Sequence, residues 1–150
     1  MKIRTIEAKK GEKAFGFLKA VETHGRFDVH VPLHIVQGAS DGPVLLVQAG
    51  VSGLEIEPAM ILPKVVQELN AAEISGTLLL AGFFPPDIFG SGSSKLAIQD
   101  AGVVMLTTEF GGGTGWYKNG EDLVRDAERG VWNMLRAMRI VDGEFESDGP

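Results

Sequence analysis

Residues 50–55, Gly-Val-Ser-Gly-Leu-Glu, contain the side chains in this chain that are best placed for chemistry. The turn follows an apolar run at 44–49 and precedes a segment of helical character. α/β proteins commonly place a binding or catalytic site at such a glycine-framed turn. Glu55 could bind a cation there, or it could accept hydrogen bonds from the unsatisfied N–H groups of the helix. One carboxylate is a poor zinc site, because catalytic zinc usually has three protein ligands.

A second carboxylate, Glu109, follows an apolar run at 103–107 and precedes three glycines at 111–113. An acidic residue at the carboxyl end of a buried strand is well placed for a site at that edge of a sheet. Such a carboxylate could serve as general base for a water molecule. The alternative is that Glu109 only ends a strand beside a glycine-rich loop.

The three histidines are His24, His30 and His34. His30 and His34 fall in a strand-like segment, and their even spacing puts both on one face. At about 3.3 Å per residue they would lie roughly 13 Å apart, too far to chelate one metal as a local pair. We therefore interpret them as surface or edge histidines.

Two serine-containing segments resemble catalytic motifs without matching them. Residues 90–94, Gly-Ser-Gly-Ser-Ser, lack the spacing of a phosphate-binding loop and have the composition of a flexible linker. Ser52 has a glycine on each side, but Gly53 stands one position too early for a nucleophile elbow. No His–Asp partner for a serine nucleophile is evident.

The composition excludes several classes of protein. The chain has 150 residues, with 44% apolar and 23% charged residues, which is typical of one soluble globular domain. A net charge of −6 disfavours a general nucleic-acid partner. No apolar run approaches the roughly 20 residues of a membrane span, and the first residues show no signal peptide. Cysteine is absent, which excludes disulfides and thiolate zinc sites. We expect a cytoplasmic protein without a membrane partner.

The N-terminal part, residues 1–38, has a β-rich pattern. Apolar residues alternate with polar or small ones from Phe27 to Ile35, which predicts a half-buried strand. Pro32 within that run predicts an edge strand or a bulge, because proline cannot donate to the ladder. A further short apolar segment contains Phe15, Phe17 and Leu18.

From residue 44 the pattern changes to an alternation of strands and helices. Apolar runs at 44–49, 77–81 and 103–107 are continuous, which is typical of parallel strands buried on both faces. A helix is predicted at 55–72, with a kink or break at Pro63. A second helix is predicted at 121–139, where apolar residues three or four apart form a stripe. The chain 1–150 is thus predicted to be one α/β domain, with a mixed, mostly parallel sheet and helices on both faces.

Taken in order, these features resemble the succinylglutamate desuccinylase/aspartoacylase family, which has a zinc carboxypeptidase-like (phosphorylase/hydrolase-like) fold. The similarity extends over residues 28–145 and rests on Asp-Gly-Pro before the run at 44–49, the turn at 50–55, Thr-Glu-Phe-Gly-Gly-Gly at 108–113 and the closing helix. The resemblance implies that Glu55 is a zinc ligand and that Glu109 acts catalytically with zinc-bound water. Ser52 occupies the position of the family's first histidine ligand.

The chain departs from the family in its length as well. The resemblance implies a long insert with the second zinc histidine, yet residues 83–95, including the linker at 90–94, stand in its place and no histidine follows His34. The resemblance also implies a downstream β-domain, which we expect this chain to lack.

Three functional hypotheses follow from the resemblance. The first is a degenerate zinc deacylase of N-acyl amino acids with little or no activity. The second is an active metallohydrolase with a rebuilt site, recruiting histidines of residues 24–34 or a neighbouring subunit. The third is a non-enzymatic scaffold that forms a homo-oligomer through apolar residues near the shortened segment: Phe83, Phe84, Ile88 and Phe89.

Overall fold

The computed structural model describes residues 1–22, 28–50, 57–82 and 120–147. Six strands and two helices occur in this part of the chain. In order they are β1 (Lys2–Ile3), β2 (Ile6–Glu7), β3 (Glu12–Glu22), β4 (Asp28–Gln37), β5 (Ser40–Ala49), α1 (Glu57–Glu68), β6 (Ser75–Gly82) and α2 (Gly120–Ala137). Neither helix is long and apolar enough to span a membrane.

The main sheet has the strand order β3-β4-β6-β5. β5 and β6 are parallel and are joined through α1, whereas β4 is antiparallel to both β3 and β6. The sheet is therefore mixed, as predicted. The predicted majority of parallel pairs is not seen among the described strands. β4 pairs antiparallel with β6, a strand that is distant from it in the sequence, so only β5 and β6 form a parallel pair there. The strand predicted at 103–107 lies outside the described residues.

One face of this sheet packs against the helices. Buried side chains of α1, including Ile61, Leu62 and Val65, share one core with Leu78 and Leu80 of β6. α2 contributes to the same core and packs on α1. The prediction of helices on both faces is not confirmed, since both described helices belong to this one core.

The opposite face is covered near β3 and β4 by the small antiparallel pair β1–β2. Ile6 and Ala8 are buried there against Leu33, Ile35 and Ala81. Gly16 of β3 makes this close packing feasible, because a Cβ atom at Gly16 would approach the Ile6 side chain to 2.7 Å. The N-terminal residues thus replace a helix as the second layer on this part of the sheet.

Burial distinguishes the two strands that were predicted to be buried on both faces. β6 is buried on both, as expected: Leu78 and Leu80 face the helices, and Ala81 faces the β1–β2 side. β5 differs, because Val44 and Leu46 are 56% and 49% exposed. β5 stands at the end of the described strand order, and no described element covers its second face.

Helix α1 is shorter than predicted and continues through Pro63. The proline ring is exposed, and the helix extends to Glu68, so the predicted break is wrong. Asn70 explains the early end. Its side-chain oxygen accepts a hydrogen bond from the N–H of Ala72 at 3.2 Å, and its backbone carbonyl accepts one from Glu73 at 3.0 Å. Such local bonds offer the backbone an alternative to the helix.

Helix α2 follows its prediction closely and ends in a Schellman motif. Ala127 and Leu135 of the predicted stripe are buried in the core. At the end of the helix, Ile140 N–H donates to the Leu135 carbonyl and Arg139 N–H donates to the Arg136 carbonyl, both at 2.9 Å. Arg139 has a φ of 55°, the left-handed conformation that usually selects glycine there.

Pro32 occupies a local edge of an interior strand. β4 has neighbours on both sides, but its pairing with β6 begins at Leu33, while Pro32 pairs only with Phe17 of β3 in the described register. A proline is tolerated at a position where one side of the strand has no ladder to complete. β4 as a whole is an interior strand and not the predicted edge strand, but at Pro32 it has a described partner on one side only.

Candidate functional site

The predicted site belongs to the carboxyl edge of the parallel pair β5–β6. Ala49 and Gly82, the last residues of these strands, are directly opposite each other. The described part of the chain stops after Gly50 and resumes at Glu57, where α1 begins. Ser52 and Glu55 lie between these points in sequence and outside the described residues. The edge itself is where open α/β sheets bind their ligands.

Gly50 is the first glycine of the predicted turn, and its backbone explains why glycine stands there. Its φ is 72°, in the left-handed region that other residues rarely adopt. The strand therefore ends abruptly at Ala49. The end of this strand falls where the apolar run changes into a glycine, whereas residues 51–55 of the predicted turn lie outside the described residues.

The start of α1 packs beside the end of β6. A Cβ atom at Gly82 would lie 3.8 Å from Leu62 and 3.9 Å from Ala59. Ala49 and Ala59 are themselves 7% and 4% exposed. The first turn of α1, with the positive end of its dipole, is thereby held against the carboxyl edge.

The two described histidines lie on the helix-side face of β4, as their spacing predicted. His34 is opposite Phe15 of β3 and Leu80 of β6, and His30 is opposite Lys19. The ring centroids of His34 and Phe15 are 4.5 Å apart. Burial lowers the pKa of His34, so the neutral imidazole is favoured. His24 lies outside the described residues.

Neither histidine is placed beside the strand that leads into the candidate site. β6 separates β4 from β5, so the backbones of β4 and β5 are about 10 Å apart at roughly 4.8 Å per strand. His34 packs towards Phe15 and away from β5. Across residues 1–22, 28–50, 57–82 and 120–147, no group of three or more potential ligands could hold a metal ion.

The donor set does not fit a catalytic zinc centre as the resemblance describes it. Of the two ligands implied for the turn at 50–55, Glu55 is present, and Ser52 offers a hydroxyl in place of imidazole. Zinc in proteins is bound by sulfur, imidazole nitrogen and carboxylate oxygen. Glu109 also lies outside the described residues, as do Phe83, Phe84, Ile88 and Phe89, so their predicted roles stay predictions.

One feature of the described surface was not predicted from the sequence. Phe15 and Phe17 are 52% and 59% exposed on β3, with ring centroids 5.2 Å apart in an edge-to-face arrangement. His34, which is half-buried, lies beside Phe15 at the margin of this exposed pair. The alternation of Phe15 and Phe17 around Gly16 was the available signal, since it places both rings on one face of a strand.

Comparison with solved structures relates this arrangement to known proteins. The chain superimposes on a succinylglutamate desuccinylase/aspartoacylase from Rhodobacter sphaeroides with a TM-score of 0.70 and 18% identity, over 94% of this chain and 70% of that one. Its fold is that of the desuccinylase/aspartoacylase structures. The family resemblance seen in the sequence is thus confirmed at the level of the fold.

A second solved structure shows a similar likeness of fold. The ectoine utilization protein EutE (DoeB) from Ruegeria pomeroyi, solved with product bound, matches with a TM-score of 0.66 and 16% identity, over 99% of this chain and 75% of that one. No protein-family model and no curated protein matches the sequence. At these identities the likeness shows the fold and leaves the activity to be tested.

Proposed function

We propose that the protein keeps the scaffold of the zinc-dependent N-acyl amino acid deacylases with little or no hydrolase activity. The observation that carries the proposal is the left-handed glycine, Gly50, directly after β5. It stands at the carboxyl end of β5 in a desuccinylase/aspartoacylase fold, and Ser52 follows it where the family has a histidine.

The chain's own residues support a weakened metal site. A serine hydroxyl is a poor replacement for imidazole, so Glu55 would be left with too few strong partners to hold zinc. No histidine follows His34 in the sequence, and the described histidines belong to β4, two strands away from β5. Glu109 would remain as a carboxylate without a metal-activated water.

The resemblance also supports a class of substrate for this proposal. The two structural neighbours are named as a desuccinylase/aspartoacylase and as an ectoine utilization protein with product bound. If any catalysis remains, its substrate would be a small N-acyl amino acid, with the amide bond as the point of hydrolysis. Such a deacylase activity would require zinc as its cofactor, and zinc binding is therefore measured first.

The decisive experiment measures zinc content after purification without chelator and then titrates zinc by calorimetry. Wild type is compared with Glu55→Ala and with Glu68→Ala, a matched acidic residue at the opposite end of α1. We expect no stoichiometric zinc in any of the three proteins. Ser52→His adds the missing imidazole and should raise zinc affinity about tenfold or more if the scaffold is intact.

Activity is measured in parallel on N-succinylglutamate and N-acetylaspartate. We expect no turnover above the background of Glu109→Gln. Stoichiometric zinc in wild type that is lost in Glu55→Ala but kept in Glu68→Ala, with activity abolished by Glu109→Gln, would overturn the proposal. That result would establish an active metallohydrolase with a rebuilt site.

A further inference from the structure

β3 is a long strand with only one described neighbour in the sheet. It extends over Glu12–Glu22 and stands at the end of the described strand order, paired with β4 alone. Every residue of β3 at 12–19 is exposed or half-buried. Unprotected edge strands are templates for pairing with another chain. No proline interrupts the sequence of β3, and its charged residues and the irregular pairing between Lys19 and Val21 lie outside the central residues 14–18.

The exposed side chains on β3 are apolar where a solvated edge would be polar. Phe15 and Phe17 stand on either side of Gly16 and expose more than half of their surface. Ala14 and Leu18 point to the opposite face, where they pack at the margin of the core under β1–β2. Both faces of the edge are therefore apolar around the same central residue.

We propose that β3 pairs antiparallel with β3 of a second copy of this chain, about a two-fold axis at Gly16. In that register Phe15 of each copy is opposite Phe17 of the other, which forms a ladder of four rings on one face. Ala14 is opposite Leu18 on the other face and extends that core across the axis. Directly opposed aromatic pairs stabilise antiparallel strands.

The neighbouring registers are less complementary. Centring the axis on Phe15 puts Leu18 opposite the carboxylate of Glu12. Centring it on Phe17 puts Phe15 opposite Lys19 and separates the aromatic pairs. The register about Gly16 is thus the one that matches apolar residues with apolar residues on both faces.

The two lysines opposed at the ends of this register each have a partner within their own copy, and the carboxylate of Asp28 balances the charge of Lys19. The pairing puts Lys13 opposite Lys19, which would be unfavourable for two free ammonium groups. However, Lys13 donates a hydrogen bond of 2.6 Å to the carbonyl of Val66, and the ammonium of Lys19 is 2.8 Å from Asp28. Because the contact has two-fold symmetry, it uses the same surface on both copies and yields a dimer instead of a fibre.

Light scattering after gel filtration, over a series of protein concentrations, tests the proposal. Wild type should approach twice the 16.0 kDa mass of the chain as concentration rises. The double variant Phe15→Ser/Phe17→Ser should raise the dimer dissociation constant about tenfold or more. Aromatic residues at the centre of an interface carry most of its affinity, and this variant removes them. The matched control, Val44→Ser with Leu46→Ser, removes two equally exposed apolar side chains from β5 and should leave the dimer intact.

Cysteine cross-linking tests the register independently. The chain has no cysteine, so single substitutions report only their own position. Mixed Phe15→Cys and Phe17→Cys proteins should form predominantly the mixed disulfide, since opposed Cβ atoms are about 5 Å apart and diagonal ones farther. A monomer at every concentration, a dimer insensitive to the Phe15/Phe17 variant, or preferential like-with-like disulfides would each overturn the proposal. These outcomes do not depend on zinc or on hydrolase activity.

Discussion

Arg139 shows how one residue can hold a strained conformation because the structure around it is fixed. Its φ of 55° completes the Schellman motif that lets Ile140 and Leu135 pack together in the core. We expect Arg139→Gly to raise the free energy of unfolding by about 0.5–1 kcal/mol, because glycine adopts this conformation without a Cβ penalty. Denaturant unfolding measures the change.

Arg139→Ala is the control for the loss of the side chain itself. Alanine keeps the Cβ atom and therefore the strain, so it should not share the gain in stability. An equal gain in both variants would show that the arginine side chain, and not the backbone conformation, is the unfavourable element.

His34 gives stability a pH dependence at the residue scale. Burial lowers its pKa in the folded state below the value in the unfolded chain, which is near 6.5. The unfolded state then binds more protons over the interval between the two values. Stability should be fully present above about pH 6.5 and should fall as the pH drops through that interval towards the folded pKa.

Unfolding by denaturant across this pH range, for wild type and His34→Gln, tests the prediction. The glutamine variant cannot titrate, so its stability should depend less on pH over the same interval. Identical slopes for the two proteins would contradict the assignment of the effect to His34.

At the scale of elements, the start of β6 depends on a glycine that no other residue can replace. Gly76 has a φ of 84°, and a Cβ atom there would collide with the backbone of Gly42 and Pro43 at the irregular pairing of β5 with β6. We expect Gly76→Ala to lower the free energy of unfolding by about 3 kcal/mol, through backbone strain and steric overlap.

Gly130 in α2 is the matched glycine with the opposite expectation. It is exposed within the helix, and a Cβ atom there would meet no atom within 4 Å. Gly130→Ala should therefore stabilise the protein by about 0.5–1 kcal/mol, since alanine favours the helix. Destabilisation by both substitutions to a similar extent would refute this explanation.

The elements that the sequence predicted well are those specified by local patterns. The alternation in β4 and the stripe of α2 each reflect a periodicity of neighbouring side chains. The place of β4 beside β6 reflects pairing between residues far apart in sequence, as between Gln37 and Thr77. No local pattern reports such a pairing, and for this reason the antiparallel pairing of β4 with β6 was not predicted.

The candidate site could be predicted only in part for a related reason. The end of β5 was visible because Gly50 interrupts an apolar run. The exposed row of Phe15 and Phe17 was overlooked because a phenylalanine in a strand normally indicates core, and exposure depends on what covers the sheet. The helix limit at Asn70 was missed because its side-chain bonds compete with the helix.

At the scale of the whole molecule, burial predicts which parts open last. β4 and β6 have strands on both sides along residues 33–37 and 77–81, and Ile35, Val36, Leu78 and Leu80 are at most 1% exposed. Hydrogen exchange should be slowest in these segments. The β1–β2 pair and residues 142–147 should exchange fastest among the described residues. Faster exchange in β6 than in β5 would contradict this order.

The position of β4 between β3 and β6 also has a consequence during synthesis on the ribosome. Gln37 is made 40 residues before its partner Thr77. At about 5–20 residues per second, translation leaves roughly 2–8 s between the two. During that interval β4 has an unpaired edge at residues 33–37, and Val36 is made before the helices of the core that buries it. A chaperone that binds short apolar segments would find its target there.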